Sequence, residues 1–263
     1  MQSMRPILNA AYARRSEGPN LNAAYARLSG IDAVLFDYGR TLVTFDYPTD
    51  DLLGVLERFR PEIERALGAP APAADALLRE VLMPLEEHIE SPGENEVAYV
   101  DVYRAAWRRA GLDLPAELLH LILNAEQQCW DRAVRVDPDA PEALSWLKGH
   151  GIKRAVCSNA PFPPAMMLRQ VTSNGIAQLM DAVLFSSEFG RRKPAPEIYR
   201  AALEAVGVAA GRALFVGDRV REDYEGPLAV GMRAVICTAH AAETPPNGIP
   251  TIASLAELRG LLL

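Results

Sequence analysis

A parallel sheet with helices on both faces, an α/β doubly wound core of three layers, is the architecture this sequence predicts. Two observations carry it. From residue 141 onward, short apolar runs alternate with helical patterns, the signature of βα units. Between about residues 50 and 135 the apolar residues instead recur only at helical spacing, so a helical unit interrupts the core after its first strand.

The elements follow in order. Ile31 to Phe36 is a compact apolar run that Asp37 and Gly39 terminate, and it reads as a buried parallel strand. Leu52, Val55, Leu56 and Phe59 then mark a helix, as do Leu77, Leu78, Val81, Leu82 and Leu85. Tyr103, Ala106, Trp107 and Ala110 mark another, and Leu118, Leu119, Ile122 and Leu123 a fourth, with no strand expected between them. Beyond them, strands are expected at Arg154–Cys157, Ala182–Phe185, Ala213–Val216 and Ala234–Cys237. Helices are expected at 141–149, 164–173, 196–206, 222–230 and 254–262. The domain organisation predicted is a core of residues 31–48 and 136–263, a helical cap of 49–135, and an N-terminal extension of 1–30. That extension repeats Leu8–Arg14 identically as Leu21–Arg27, a doubling too short for a solenoid and read as a leader without chemistry.

Composition narrows the function. The chain has 263 residues, 49% apolar and 23% charged, with a formal charge of −7. An acidic balance disfavours nucleic acid and anionic membranes as partners. No apolar run is long enough to span a bilayer, and residues 1–30 lack a signal-peptide core. Cys129, Cys157 and Cys237 are odd in number and lack zinc spacing, which fits reduced thiols in a cytoplasmic protein.

Four separated segments carry the chemistry. Asp37-Tyr38-Gly39-Arg40-Thr41 and Ser158-Asn159 each follow an apolar strand, where an open sheet places its ligands. Lys193 stands in Arg191-Arg192-Lys193-Pro194-Ala195-Pro196-Glu197-Ile198-Tyr199, the prolines starting a helix behind it. Gly217-Asp218 and Asp223 put two carboxylates at the start of another helix. Singly these read as a turn carboxylate, a helix cap, a solvated basic run and dipole-satisfying acids. In this order they supply a nucleophile, a hydroxyl, a cation and an acidic metal pair. Arg191 and Arg192 are expected at the surface. Trp107 and Trp130 are expected in the core of the helical unit, with lining of the substrate pocket as the alternative, and His88, His120, His150 and His240 have no catalytic setting.

The four segments resemble the motifs of the haloacid dehalogenase-like hydrolase superfamily, over residues 31 to about 262. The resemblance implies a Rossmann-like core and an aspartyl-phosphate formed on Asp37. It implies a phosphate site of Thr41, Ser158, Asn159 and Lys193, with Ser158 donating its hydroxyl and Lys193 stabilising charge. Mg²⁺ is the implied cofactor, on Asp37, Asp218 and the Gly39 carbonyl, with Asp223 binding through water or orienting Lys193. The sequence departs from the family at Gly39, where most of its phosphatases carry a second aspartate that protonates the leaving oxygen. The expected activity is a Mg²⁺-dependent phosphatase of a small phosphorylated metabolite, slow or confined to good leaving groups. The alternatives are a faded member that binds a phosphorylated ligand or partner, and a 2-haloacid dehalogenase.

Overall fold

The computed structural model describes residues 28–89 and 93–262. The repeated N-terminal segment lies outside them.

Six parallel strands form the sheet. In chain order they are β1 (Ala33–Phe36), β4 (Lys153–Ser158), β5 (Ala182–Phe185), β6 (Ala213–Gly217), β7 (Arg233–Cys237) and β8 (Thr251–Ile252). Their spatial order is β5-β4-β1-β6-β7-β8, so the chain moves away from β1 on one side and returns to build the other. Strand order reverses at β1, and in open α/β sheets the ligand crevice opens at such a reversal. Every expected strand of the core is present. The two-residue edge strand β8 was not foreseen.

Alternation along the strands divides the core into two apolar clusters. Val34, Phe36, Val156, Leu214 and Val216 face one side and pack on Leu144, Leu147 and Val171 of α6 (Ala140–Gly149) and α7 (Pro164–Ser173). Ala33, Leu35, Ala155, Cys157 and Phe215 face the other and pack on Ile198, Tyr199 and Ala202 of α8 (Pro196–Val206). Both faces being dry, the strands need the continuous apolar runs the sequence shows.

Among the described residues between 49 and 133, the regular elements are helices. They comprise α1 (Thr49–Leu67), a continuous stretch from α2 (Ala74–Leu77) through a π turn to α3 (Met83–Ile89), then α4 (Tyr99–Arg109) and α5 (Ala116–Ala133). These pack around their own core, in which Leu56, Ile63, Val81, Tyr103, Trp107 and Ile122 are buried. Each such side chain contributes roughly 1.5–3 kcal/mol.

Two short strands the sequence did not announce bracket this insertion. β2 (Val43–Phe45) pairs antiparallel with β3 (Val134–Val136), closing a ribbon where the chain leaves and re-enters the core. Three-residue strands carry too little periodicity to be read in advance.

The insertion is also tied to the core at its far side, which corrects the surface expectation for Arg192. Its guanidinium is buried, donates to the Ile89 carbonyl at 2.7 Å and lies 3.8 Å from Glu96. Glu96 also accepts from the buried Ser186 hydroxyl, which in turn accepts from the Ala160 amide at 2.9 Å. Backbone bonds from Glu96 to Gly190 (3.0 Å) and from Arg192 to Glu94 (2.9 Å) complete the contact. Arg191 stays partly exposed beside Glu94 and Asn95. A basic run therefore supplies one buried tether immediately before Lys193.

Candidate active site

Strand register brings the four segments together. Phe36 of β1 is level with Val156 of β4 and Val216 of β6, so the residues beyond these strand ends meet at one edge of the sheet. Asp37, whose amide donates to the Val216 carbonyl at 2.9 Å, stands beside Ser158 and Asp218 there. One carboxylate oxygen from each of Asp37, Asp218 and Asp223 lies within 4.8 Å of the others, and all three residues are buried.

The loop after Asp37 is held tightly. Arg40 takes a left-handed φ of 59°, and amides of Leu42 and Val43 both donate to the Tyr38 carbonyl. Thr41 is buried there, and its hydroxyl has no hydrogen-bond partner within the protein. A buried orphan hydroxyl is costly, so this donor beside Asp37 is one a bound ligand would satisfy.

Lys193 is 2% exposed. Its ammonium donates to Asp37 Oδ1 at 2.8 Å and Asp223 Oδ1 at 2.6 Å, and sits 5.0 Å from the centre of the Phe215 ring. Burial pulls its pKa down, but the carboxylates of Asp223 and Asp37 outweigh that and hold it well above the ordinary value. The lysine is thus a permanent cation.

Two side chains fix it. Asn159 accepts from the Lys193 amide at 2.7 Å through Oδ1 and donates to the Lys193 carbonyl at 3.2 Å. Both ends of the amide are committed to the backbone, so Asn159 holds the lysine segment; it was expected at the phosphate. Asp223 gives Oδ1 to Lys193, while its Oδ2 accepts the amides of Asp218 (3.0 Å) and Arg219 (2.9 Å). Of the two roles open to Asp223, the geometry supports orienting Lys193.

That inward reach shapes the local backbone. Asp223 lies in a π turn, Val220–Glu225, followed by the short α9 (Gly226–Ala229), where the sequence predicted one regular helix. Gly217 is required beside it, because a Cβ there would overlap the Asp223 carboxylate. π turns interrupt helices mostly where a side chain must be re-aimed at a functional site.

The Asp218 carboxyl is pushed upward, by desolvation first and then by the charges of Asp37 and Asp223. Burial likewise raises Asp223, against the opposing pull of Lys193. Lys193 and the partly buried Arg219 do not fully neutralise three crowded carboxylates. An oxygen-only, over-charged pocket of this kind fits a hard divalent cation such as Mg²⁺, which accepts one or two carboxylates and keeps waters.

Gly39 offers no side chain to this centre. A Cβ built there would lie 3.4 Å from Phe45 Cε1, an ordinary contact, and its φ is not left-handed. Phe45 in turn meets Trp130 edge-on with ring centres 5.9 Å apart. Trp130, expected in the core or lining a pocket, is only partly buried and lines a cavity in the insertion.

That cavity also holds Glu126, which sequence reasoning passed over. It is fully buried, accepts from the Tyr103 hydroxyl at 3.1 Å, and is pushed up to about 8 by desolvation. A signal was present. Leu119, Ile122, Leu123 and Glu126 are spaced i, i+3, i+4 and i+7, so the acid lies in the apolar stripe of its helix.

Comparison with known proteins agrees with the fold. The model of haloacid dehalogenase-like hydrolases matches residues 31–231, and the chain belongs to that family of hydrolases. It is 28% identical over 205 residues to a glyceraldehyde 3-phosphate phosphatase of Methanopyrus kandleri, covering 78% of this chain and 83% of that protein. To a phosphoserine phosphatase of Thermus thermophilus it is 31% identical over 126 residues, 48% of this chain and 49% of that one. Among solved structures, a HAD phosphatase from Thermococcus onnurineus superposes with a TM-score of 0.62 at 24% identity, covering 88% of this chain and 98% of that chain. A 2-haloacid dehalogenase from Pseudomonas syringae superposes at 0.64 with 21% identity over the same shares. At these identities the structures speak to the fold alone.

Proposed function

We propose that the protein is a Mg²⁺-dependent phosphatase of a small phosphorylated metabolite, working through a phosphoryl group carried on Asp37. The observation that carries this reading is the buried cluster of Asp37, Asp218 and Asp223 around Lys193. The family and the phosphatase names of its relatives support it. Metal-free chemistry on carbon, the dehalogenase alternative, would leave Asp218 crowded against two carboxylates with only Lys193 and Arg219 to offset them.

Lys193 binds Asp37 Oδ1, which fixes the carboxylate plane and leaves Oδ2 to attack phosphorus. The new Asp37–phosphorus bond forms as the ester P–O bond breaks, and water then hydrolyses the acyl phosphate to regenerate the carboxylate. Lys193, the Thr41 hydroxyl and Ser158 would hold the phosphoryl oxygens, with Asn159 and Asp223 positioning the lysine. Mg²⁺, held by Asp37, Asp218 and the Gly39 carbonyl, would supply Lewis-acid neutralisation of the phosphoryl charge.

The leaving oxygen receives no proton from residue 39. General-acid help is typically worth about 10²–10⁴-fold, so unassisted turnover favours leaving groups that depart as stable anions. The test is a phosphate-ester panel assayed with Mg²⁺ and with EDTA. Aryl and acyl phosphates are expected to turn over faster than alkyl esters, and only with metal; full activity in EDTA, or none on any ester, overturns the reading. Gly39→Asp tests the missing acid, since the backbone at residue 39 accepts a Cβ at ordinary contact with the Phe45 ring. Its kcat is expected to rise by about tenfold or more on alkyl esters and little on aryl esters. An equal change on both would remove that explanation.

A further inference from the structure

Within the helical insertion lies a cavity of about 10 Å³, lined by four leucines together with Glu86 of α3, Tyr99 of α4, Glu126, Gln127 and Trp130 of α5, and Phe162 from the loop after β4. That is room for one group the size of a water molecule. A chain of contacts joins it to the reacting centre: Trp130 meets Phe45, and Phe45 borders Gly39. Tyr99 and Phe162 close it with ring centres 4.8 Å apart, one ring from the insertion and one from the core.

Its polar character is one-sided. Two carboxylates face it and none of its lining residues is basic. Gln127 is 2% exposed and directs its amide nitrogen toward Asp131 at 3.4 Å, leaving Oε1 buried without a donor. A buried acceptor in that state marks a place where a donor belongs. An alkylammonium is water-sized, offers three donors and no acceptor, and is attracted to the faces of aromatic rings. A carboxylate would crowd two acidic side chains, and a hydroxyl would bring no positive charge to draw Glu126 into its ionised form.

We propose that this cavity receives the ammonium group of an amine-bearing phosphorylated metabolite, held by Glu126, Glu86 and the Gln127 amide oxygen while the phosphate lies at Asp37. The proposal rests on the phosphatase reading and names its substrate class. Glu126 then has its counter-ion in the substrate, which explains a buried acid whose protein partner is a phenol.

The experiment uses the full-length protein with Mg²⁺ and short alkyl phosphates of equal length ending in ammonium, hydroxyl or carboxylate, beside p-nitrophenyl phosphate. The ammonium ester is expected to exceed the hydroxyl ester in kcat/KM by about ten- to hundredfold, the factor a hydrogen bond to a charged group contributes. Glu126→Gln and Glu86→Gln are each expected to shrink that ratio toward one. Two variants are used so that a folding defect in either leaves a result. No preference for the ammonium ester, or a preference unchanged in both variants, overturns the proposal while p-nitrophenyl phosphate is still hydrolysed. If no ester is hydrolysed, the phosphatase reading fails instead, and the cavity is judged by binding. The ammonium ester must then raise the thermal midpoint more than the hydroxyl ester, and equal shifts refute it.

Discussion

Asp37→Asn removes turnover of p-nitrophenyl phosphate by about 10⁴-fold or more, the scale on which loss of a covalent nucleophile is felt. An amide has the same shape as the carboxylate but neither its charge nor its nucleophilicity. The substitution leaves the surroundings standing. Lys193 keeps Asp223 at 2.6 Å, and Asp223 keeps the amides of Asp218 and Arg219. One of three crowded carboxylates is gone, so the repulsion that pushes the Asp218 carboxyl upward is relieved. The thermal midpoint of the metal-free variant is therefore expected to equal or exceed that of the parent. Activity and stability separate, which distinguishes a chemical role from a structural one. Retention of more than about a tenth of the parent rate would show that another group attacks phosphorus.

The sequence was most legible where one physical constraint acted alone. Strands β1, β6 and β7 and the inner part of β4 are buried on both faces, so each must be a run of apolar residues and can be read as one. The residues that close those strands, Asp37, Ser158 and Asp218, inherit their positions from the register. What escaped reading depends on partners far along the chain. Arg192 looks like solvated charge until Glu96 and the Ile89 carbonyl arrive from the insertion. Asn159 looks like a phosphate ligand until the Lys193 backbone takes both ends of its amide. Helical periodicity around Asp223 is overridden because its carboxylate must reach a lysine thirty positions earlier. Glu126 differs from these: its place in an apolar stripe was visible, and a charge in such a stripe is informative because burial costs it so much.

That cost is measurable. Glu126 titrates at about 8 in the folded protein against an ordinary value of 4.5, chiefly because it is desolvated. The Tyr103 hydroxyl opposes the shift and the charge of Glu86 reinforces it, while Tyr99, Tyr47 and Cys129 are further ionisable groups near it. Between those two pH values the unfolded chain has released the proton and the folded protein still holds it. Stability is then fully present below about pH 4.5, falls as pH rises, and stops falling above about pH 8. At about 1.4 kcal/mol per unit, the whole penalty is roughly 3–5 kcal/mol. Glu126→Gln keeps the shape and an acceptor for Tyr103 but has no proton to lose. Chemical denaturation across pH 5 to 9 is expected to show parent and variant converging at the acid end. At the alkaline end the variant is expected to be the more stable, by several kcal/mol. Parallel curves would mean that the carboxylate is already paired in the folded protein. A gap closed by adding an aminoalkyl phosphate would instead identify the missing partner as the substrate, making the residue a group that weakens the empty protein in order to recognise its ligand.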